Sequence, residues 1–235
     1  MNLNGLEMTW LGHAAFRLRL DDGTTLYVDP WLTSPTAPAG AIAAERADAI
    51  FVTHGHSDHL GDALDLCRST GAPIHAIHEI CVWAGNQGLD QPPVGSNKGG
   101  TLEVPGGVHA TLVDAVHSSG ISTEAGIVAA GEAGGWVLAF QSGPTIYHAG
   151  DTTVFKDMEL IGELYEPDIA LLPIGGWYTM GPRHAALAGR LIGAGTVVPI
   201  HYGTFPILSG TPAELREHAA GAFEVVELEI GVPVG

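Results

Sequence analysis

A chain of 235 residues can bury one substantial core, and 46% hydrophobic against 15% charged residues excludes a disordered protein. No apolar run approaches the roughly 20 residues of a membrane-spanning helix, and Met1–Glu7 lacks a basic region followed by an apolar one, so a cytoplasmic location is expected. A formal net charge of −17, from 9 basic and 26 acidic residues, disfavours nucleic-acid partners, whose binding depends on Lys and Arg at phosphates.

In chain order, residues 8–11, 15–20 and 24–28 are short apolar or alternating runs that read as strands, with Asp21-Asp22-Gly23 as a hairpin turn. Asp29-Pro30-Trp31 ends the third, and residues 34–40 are a loop by composition. Residues 50–53 form a buried strand that leads directly into a histidine cluster. Residues 60–68 have helical spacing, and Gly71 stands where a helix stop is expected. Residues 73–77 predict a strand and 79–85 a short helix. The stretches 101–111, 126–130, 136–141 and 145–148 are strand-rich and punctuated by glycine. Then follow a helix over 153–165, a strand over 169–173 and a helix over 185–192. A strand over 196–199 leads to His201, and a helix over 212–220 and a strand over 224–228 close the pattern. Strands in runs with helices in both halves predict two sheets packed face to face with helices outside, more than a doubly wound parallel sheet. No linker divides the chain, so residues 1–235 are expected to form one domain. Oligomeric state leaves no trace in the sequence, and a homo-oligomer stays open.

The chemistry concentrates in His54-Gly55-His56-Ser57-Asp58-His59, read as a loop after a strand. Imidazole and carboxylate together suit zinc and similar divalent ions. Four ligand-type side chains in six residues crowd a single tetrahedral ion, because Asp58 and His59 diverge from His54 and His56, so the spacing favours two neighbouring ions. His117, Asp151 and His201 each stand at a strand-to-loop junction, where a rigid scaffold commonly holds reactive groups. The two cysteines, Cys67 and Cys81, lack metal or redox spacing and read as reduced and partly buried.

The run from Thr53 to His59, followed by His117, Gly150-Asp151-Thr152 and His201-Tyr202, resembles the metallo-β-lactamase-fold superfamily of metal-dependent hydrolases. Leu11-Gly12-His13-Ala14, Val28-Asp29-Pro30-Trp31, the stretch from Tyr147 to Thr152 and Thr179-Met180-Gly181-Pro182 resemble a hydrolase branch akin to the ascorbate-6-phosphate lactonases and the N-acyl-phosphatidylethanolamine phospholipases D. The resemblance implies an α/β (α+β) four-layer αβ/βα sandwich with the site at one edge. It also implies that His54, His56 and His117 bind a first metal, that Asp58, His59 and His201 bind a second, and that Asp151 bridges them. Position 59 is His where the best-known β-lactamases carry Arg, and neither cysteine stands at their ligand position. Position 56 is His where the di-iron oxygen- and nitric-oxide-reducing relatives carry Glu. Both chemistries are therefore disfavoured, while a mononuclear iron persulfide dioxygenase stays open.

The expected activity is a binuclear metal-dependent hydrolase. A hydroxide activated by two divalent ions, roughly 3.5–4 Å apart, would attack a small ester, lactone or phosphodiester. Zinc is the default, and mixed nitrogen and oxygen ligands also admit manganese or iron. Asp58 and Asp151 are the catalytic carboxylates, and His13, in the loop after the first strand, is added for substrate binding or proton donation. Asp29 is either a carboxylate behind a ligand imidazole or a turn-former before Pro30. His148 and Tyr202 are candidates for the pocket wall. His184 reads as an ordinary helix-start residue that could meet substrate, and His75, His78, His109 and His218 as ordinary surface or core residues. The alternatives are a nuclease of the same superfamily, which a local basic patch or the metals could still serve, and a metal-binding protein without turnover.

Overall fold

Alternation sets the first sheet. In the computed structural model, which describes residues 1–43 and 46–235, β1 (Leu6–Trp10), β2 (Phe16–Leu20) and β3 (Thr25–Val28) form an antiparallel meander. Leu6, Met8, Trp10, Phe16 and Leu18 are buried, while Arg19 between them is exposed and Glu7 and Arg17 are half-buried. Parallel strands then extend this sheet through β4 (Ala49–Phe51), β5 (Ile74–Ile77) and β6 (Val94–Ser96).

The second sheet repeats the scheme. Antiparallel β7 (Thr101–Val104), β8 (Val108–Asp114), β11 (Gly134–Ala139) and β12 (Thr145–His148) lead into parallel β13 (Ile169–Pro173), β14 (Thr196–Ile200) and β15 (Glu224–Val225). β9 (Gly120–Thr123) and β10 (Gly126–Ala129) make a separate hairpin, and β16 (Pro233–Val234) returns to pair with β1.

The sheets face each other through an apolar core. Phe51 of β4 meets Trp136 of β11 edge-on, with ring centroids 5.0 Å apart, and the Trp136 indole N–H donates to Val52 O at 3.1 Å. Fully burying a side chain such as Phe16 or Phe51 contributes about 1.5–3 kcal/mol. Outside the first sheet lie α2 (Ala63–Thr70) and α3 (His78–Gly85), which bury Leu66, Cys67 and Ile80. α4 (Met158–Tyr165), α5 (Pro182–Ile192) and α6 (Pro212–Ala219) cover the second, packing Ala185, Ala188 and Leu215 into a cluster with Tyr147, Leu172 and Val197. This is the four-layer αβ/βα sandwich. No helix among the described residues is long and apolar enough to cross a membrane. Cys67 and Cys81 are both free and buried.

Several elements differ from the sequence expectation. The predicted helix over 60–68 is two helices, α1 (Ser57–Leu60) and α2, broken at Gly61. Gly61 adopts φ 44°, and a Cβ there would lie 2.7 Å from Trp31 Cα, so close approach to the 30–31 backbone sets the break. Asp58 and His59 therefore ride on a helical turn, not on the expected loop. The helix expected from residue 153 starts at Met158. Thr153 N donates to Val116 O at 3.3 Å, and Val116 N donates to Thr152 Oγ1 at 3.0 Å, which ties the segment to the end of β8. The run 101–111 is a hairpin, β7 and β8, turned by Pro105-Gly106-Gly107. The strand expected over 224–228 is β15, which ends at Val225. β6, β9 and β16, of three, four and two residues, lie outside every predicted run.

Candidate metal centre

Strand ends gather the reactive side chains at one edge. His54–His59 follow β4, His117 follows β8, Asp151 follows β12 and His201 follows β14, while His13 joins β1 to β2 and Asp29 leaves β3. Three of these are non-glycine residues in the left-handed region: His13 (φ 51°), Asp29 (φ 46°) and His201 (φ 55°). Such conformations cost of order 1–3 kcal/mol each and gather at functional sites.

All seven expected ligands are brought together. His54 Nε2 and His56 Nδ1 lie 3.0 Å apart, and His117 Nε2 stands 3.3 Å from the same His56 nitrogen. Asp151 sits at the middle. Its Oδ1 is 3.1 Å from His59 Nε2, and its Oδ2 is 3.1 Å from His201 Nε2, 3.6 Å from His117 Nε2 and 4.0 Å from His54 Nε2. Asp58 Oδ2 lies 3.7 Å from His201 Nε2. Donor atoms fall into three sets, each within 4.8 Å of one another: His54, His56, His117; His54, His59, Asp151; and His13, Asp58, His59, His201.

A cation fits this arrangement. His59 Nε2, Asp151 Oδ1 and both His201 ring nitrogens are buried without a hydrogen-bond partner, although the first two face each other closely. Orphaned buried polar atoms are costly, and a shared ion satisfies several at once. Burial lowers the pKa of His54, His56 and His117, which keeps these imidazoles in the neutral, metal-binding form. Burial also opposes charge on His59 and His201, but flanking carboxylates win. Asp151 and Asp29 raise His59 well above the usual range, and Asp151 and Asp58 push His201 up to about 9. Burial alone would raise Asp151, yet the neighbouring His59 and His201 hold it well below the usual carboxylate range.

Asp29 stands as a carboxylate behind the candidate ligand His59. Fully buried, it accepts from Thr53 N at 2.8 Å and Thr53 Oγ1 at 2.7 Å, and it lies 2.6 Å from His59 Nδ1. A proton on Nδ1 leaves His59 Nε2 aimed at Asp151, and the hydroxyl of Thr53 likewise meets His54 Nδ1 at 3.0 Å. Asp29→Asn is expected to weaken metal affinity about 10–100-fold while leaving the fold intact. Competition against a chromophoric chelator measures this, and wild-type affinity in the variant would leave Asp29 as a turn-former.

His13 is fully buried. Its Nε2 lies 3.1 Å from Asp58 Oδ2, its Nδ1 lies 2.9 Å from Thr204 Oγ1, and its carbonyl accepts from His201 N at 3.0 Å. Burial lowers its pKa to about 4, so it is neutral and orients Asp58 from within the wall. His148 is also fully buried. It spans Ala14 O at 2.8 Å and Gly150 N at 3.1 Å, which ties the loop before Asp151 to the loop of His13. Tyr202 turns away and stacks on Trp10 at 5.4 Å, and His184 is exposed on the first turn of α5. His75 is a core residue stacked on Phe51 at 5.1 Å, and His78, His109 and His218 are exposed. Sequence reading missed Thr53, Thr204 and Ser119, whose hydroxyls orient His54, His13 and the Gly55 amide.

The sandwich with a histidine–aspartate edge defines a protein of the metallo-β-lactamase fold, and residues 24–202 match the family model described as "Beta-lactamase superfamily domain". A protein of Rubrobacter xylanophilus is 49% identical over 98% of this chain and 94% of its own length. One of Koribacter versatilis is 44% identical over 92% and 93%. Both bear the name UPF0173 metal-dependent hydrolase. The solved structure of a novel metallo hydrolase from the archaeon Ignicoccus hospitalis superposes with a TM-score of 0.86 at 38% identity, over 97% of each chain. The chain belongs to the UPF0173 metal-dependent hydrolases of the β-lactamase superfamily.

Proposed function

We propose that residues 1–235 act as one catalytic unit, a hydrolase that works with two divalent cations on a small ester, lactone or phosphodiester. The observation that carries this reading is the position of Asp151, within 4.0 Å of imidazole nitrogens from His54, His59, His117 and His201. Seven ligand-type side chains exceed what one tetrahedral ion takes. His54, His56 and His117 would hold one cation, Asp58, His59 and His201 the other, and Asp151 would contact both. Bound there, such ions supply Lewis acidity and lower the pKa of water towards neutrality. Zinc suits the imidazole-rich set, and the carboxylates admit manganese or iron.

The protein groups have separate tasks. Asp29 and Thr53 fix the tautomers of His59 and His54. Neutral His13, held by Thr204, keeps Asp58 turned into the site, where its carboxylate can orient the attacking water. Asp58 is half-buried, so it can meet both substrate and solvent. A nuclease is the weaker reading, because 9 basic residues against 26 acidic ones oppose a polyanion.

Metal-loaded protein is expected to carry about two transition-metal ions per chain by elemental analysis. At physiological salt it is expected to hydrolyse a small model ester, lactone or phosphodiester, with weak or no cleavage of RNA and single-stranded DNA. A maximum of one tightly bound ion would sink the two-metal reading. Efficient RNA processing beside inertness towards every small substrate would promote the nuclease.

A further inference from the structure

We propose that Trp177, with Tyr178 and Phe205, forms an aromatic grip beside the metal edge that selects a neutral ester or lactone bearing an apolar arm. The inference rests on the hydrolytic reading above and narrows it, by setting phosphodiesters aside.

Trp177 and Tyr178 are 75% and 63% exposed on the loop that leaves β13. The loop is anchored against the centre on two sides. Met180 N donates to the carbonyl of Thr152, the residue after Asp151, at 3.1 Å. A Cβ added to Gly175 would lie 2.2 Å from the carbonyl oxygen of His201, so the loop base rests on the backbone of a candidate ligand. The loop closes on itself through Gly176 N to Met180 O at 3.2 Å and Tyr178 N to Gly176 O at 2.7 Å. At its tip Trp177 adopts φ 57°, a left-handed conformation that a bulky residue rarely takes. Glycine or asparagine would hold that turn with less strain, and strain of this kind is enriched at functional sites.

The neighbouring loop, residues 201–208, packs against the base of this one at Gly175. Leu208 N donates to Phe205 O at 2.9 Å, and Leu208 packs under Gly175. This fold presents Phe205 and Ile207, 38% and 41% exposed. Phe205 lies 6.2 Å from the His13 ring and 6.0 Å from Trp31, which itself meets His13 edge-on at 5.3 Å. Trp31 and Phe205 thus flank the His13 ring, and the loop that carries Trp177 and Tyr178 rises from a base set against His201 and Leu208.

Charge points the same way. Residues 29–34, 175–180 and 201–208 contain no Lys or Arg. A phosphodiester would meet no cationic side chain on these loops, whereas an alkyl or aryl group would remove apolar surface from water on both partners. Exposed apolar clusters at a polar cleft commonly mark where a ligand lies.

The test uses the metal-loaded enzyme with Trp177→Gly, which suits the left-handed backbone and so leaves folding out of the comparison, and with Trp177→Phe. Ratios of kcat/KM for phenylacetyl against acetyl esters of one alcohol are measured in each. Trp177→Gly is expected to lower this ratio about tenfold, mainly through KM, and Trp177→Phe to restore most of it. Isothermal titration calorimetry with the non-hydrolysable phenylacetamide analogue gives a second readout that needs no turnover, and wild type is expected to bind at least about tenfold tighter than Trp177→Gly. Trp177-dependent binding without hydrolysis of any ester would keep the grip and remove the hydrolytic reading. An unchanged ratio and unchanged binding in Trp177→Gly would overturn the grip, as would loss of a dimer in light scattering with the substrate profile intact, which makes the loop a subunit contact.

Discussion

Asp151→Ala is expected to abolish hydrolysis, lowering kcat/KM on any small ester the wild type accepts by about 10³-fold or more, equivalent to about 4 kcal/mol of transition-state stabilisation. Asp151 stands on the loop after β12, and its two oxygens each lie 3.1 Å from a different imidazole, those of His59 and His201. Removing it leaves His59 and His201 facing each other without the carboxylate between them, so the two proposed ions would lose their common ligand. The fold is expected to survive, because this side chain packs against polar groups of the edge and lies outside the apolar clusters of the sandwich. Circular dichroism, metal content and kinetics measured together check the point. A folded variant with wild-type turnover would remove Asp151 from the centre.

Stripping the ions with a chelator is expected to remove all activity and to make stability depend steeply on pH. Without metal, Asp151, Asp58 and Asp29 are balanced by protons on His59 and His201. The folded pKa of His201, about 9, lies above its ordinary value of 6.5. A group raised in this way stabilises the fold fully below about pH 6.5, and the contribution is lost as pH climbs through about 9. Metal-free protein should therefore lose a few kcal/mol, read as a falling Tm, between those pH values. The metal-loaded form should change little over the same range, because the ions take the place of the protons. Loading should also release protons, so apparent metal affinity rises with pH. A metal-free Tm that rises with pH over this window would reject the assignment.

The gathering of the seven candidate side chains was legible because they lie in one six-residue run and at three strand ends, where chemistry and spacing coincide. The strands over 145–148 and 169–173 were legible to the residue, being short apolar runs. The supporting layer was not. Thr204 reaches His13 across 191 residues, and no local pattern announces a hydroxyl that orients an imidazole so distant in sequence. Asp29 was ambiguous, since an Asp before Pro30 is an ordinary turn until Thr53 and His59 are seen to bind it. Helical spacing hid the break at Gly61, which arises from contact with Trp31, a tertiary cause. Trp177 carried no signal at all, because its left-handed backbone belongs to the folded loop.

The candidate centre draws on both sheets, and this makes an ion more than a reagent. His13, Asp29 and His54 through His59 come from the first sheet, and His117, Asp151 and His201 from the second. A cation held by both would act as a reversible cross-link over the seam, between loops 142 residues apart at His59 and His201. Each tenfold rise in free metal above the dissociation constant of such a site would tighten that closure by about 1.4 kcal/mol. Metal supply would then govern how long the two layers stay docked, and with it the lifetime of the protein against proteolysis.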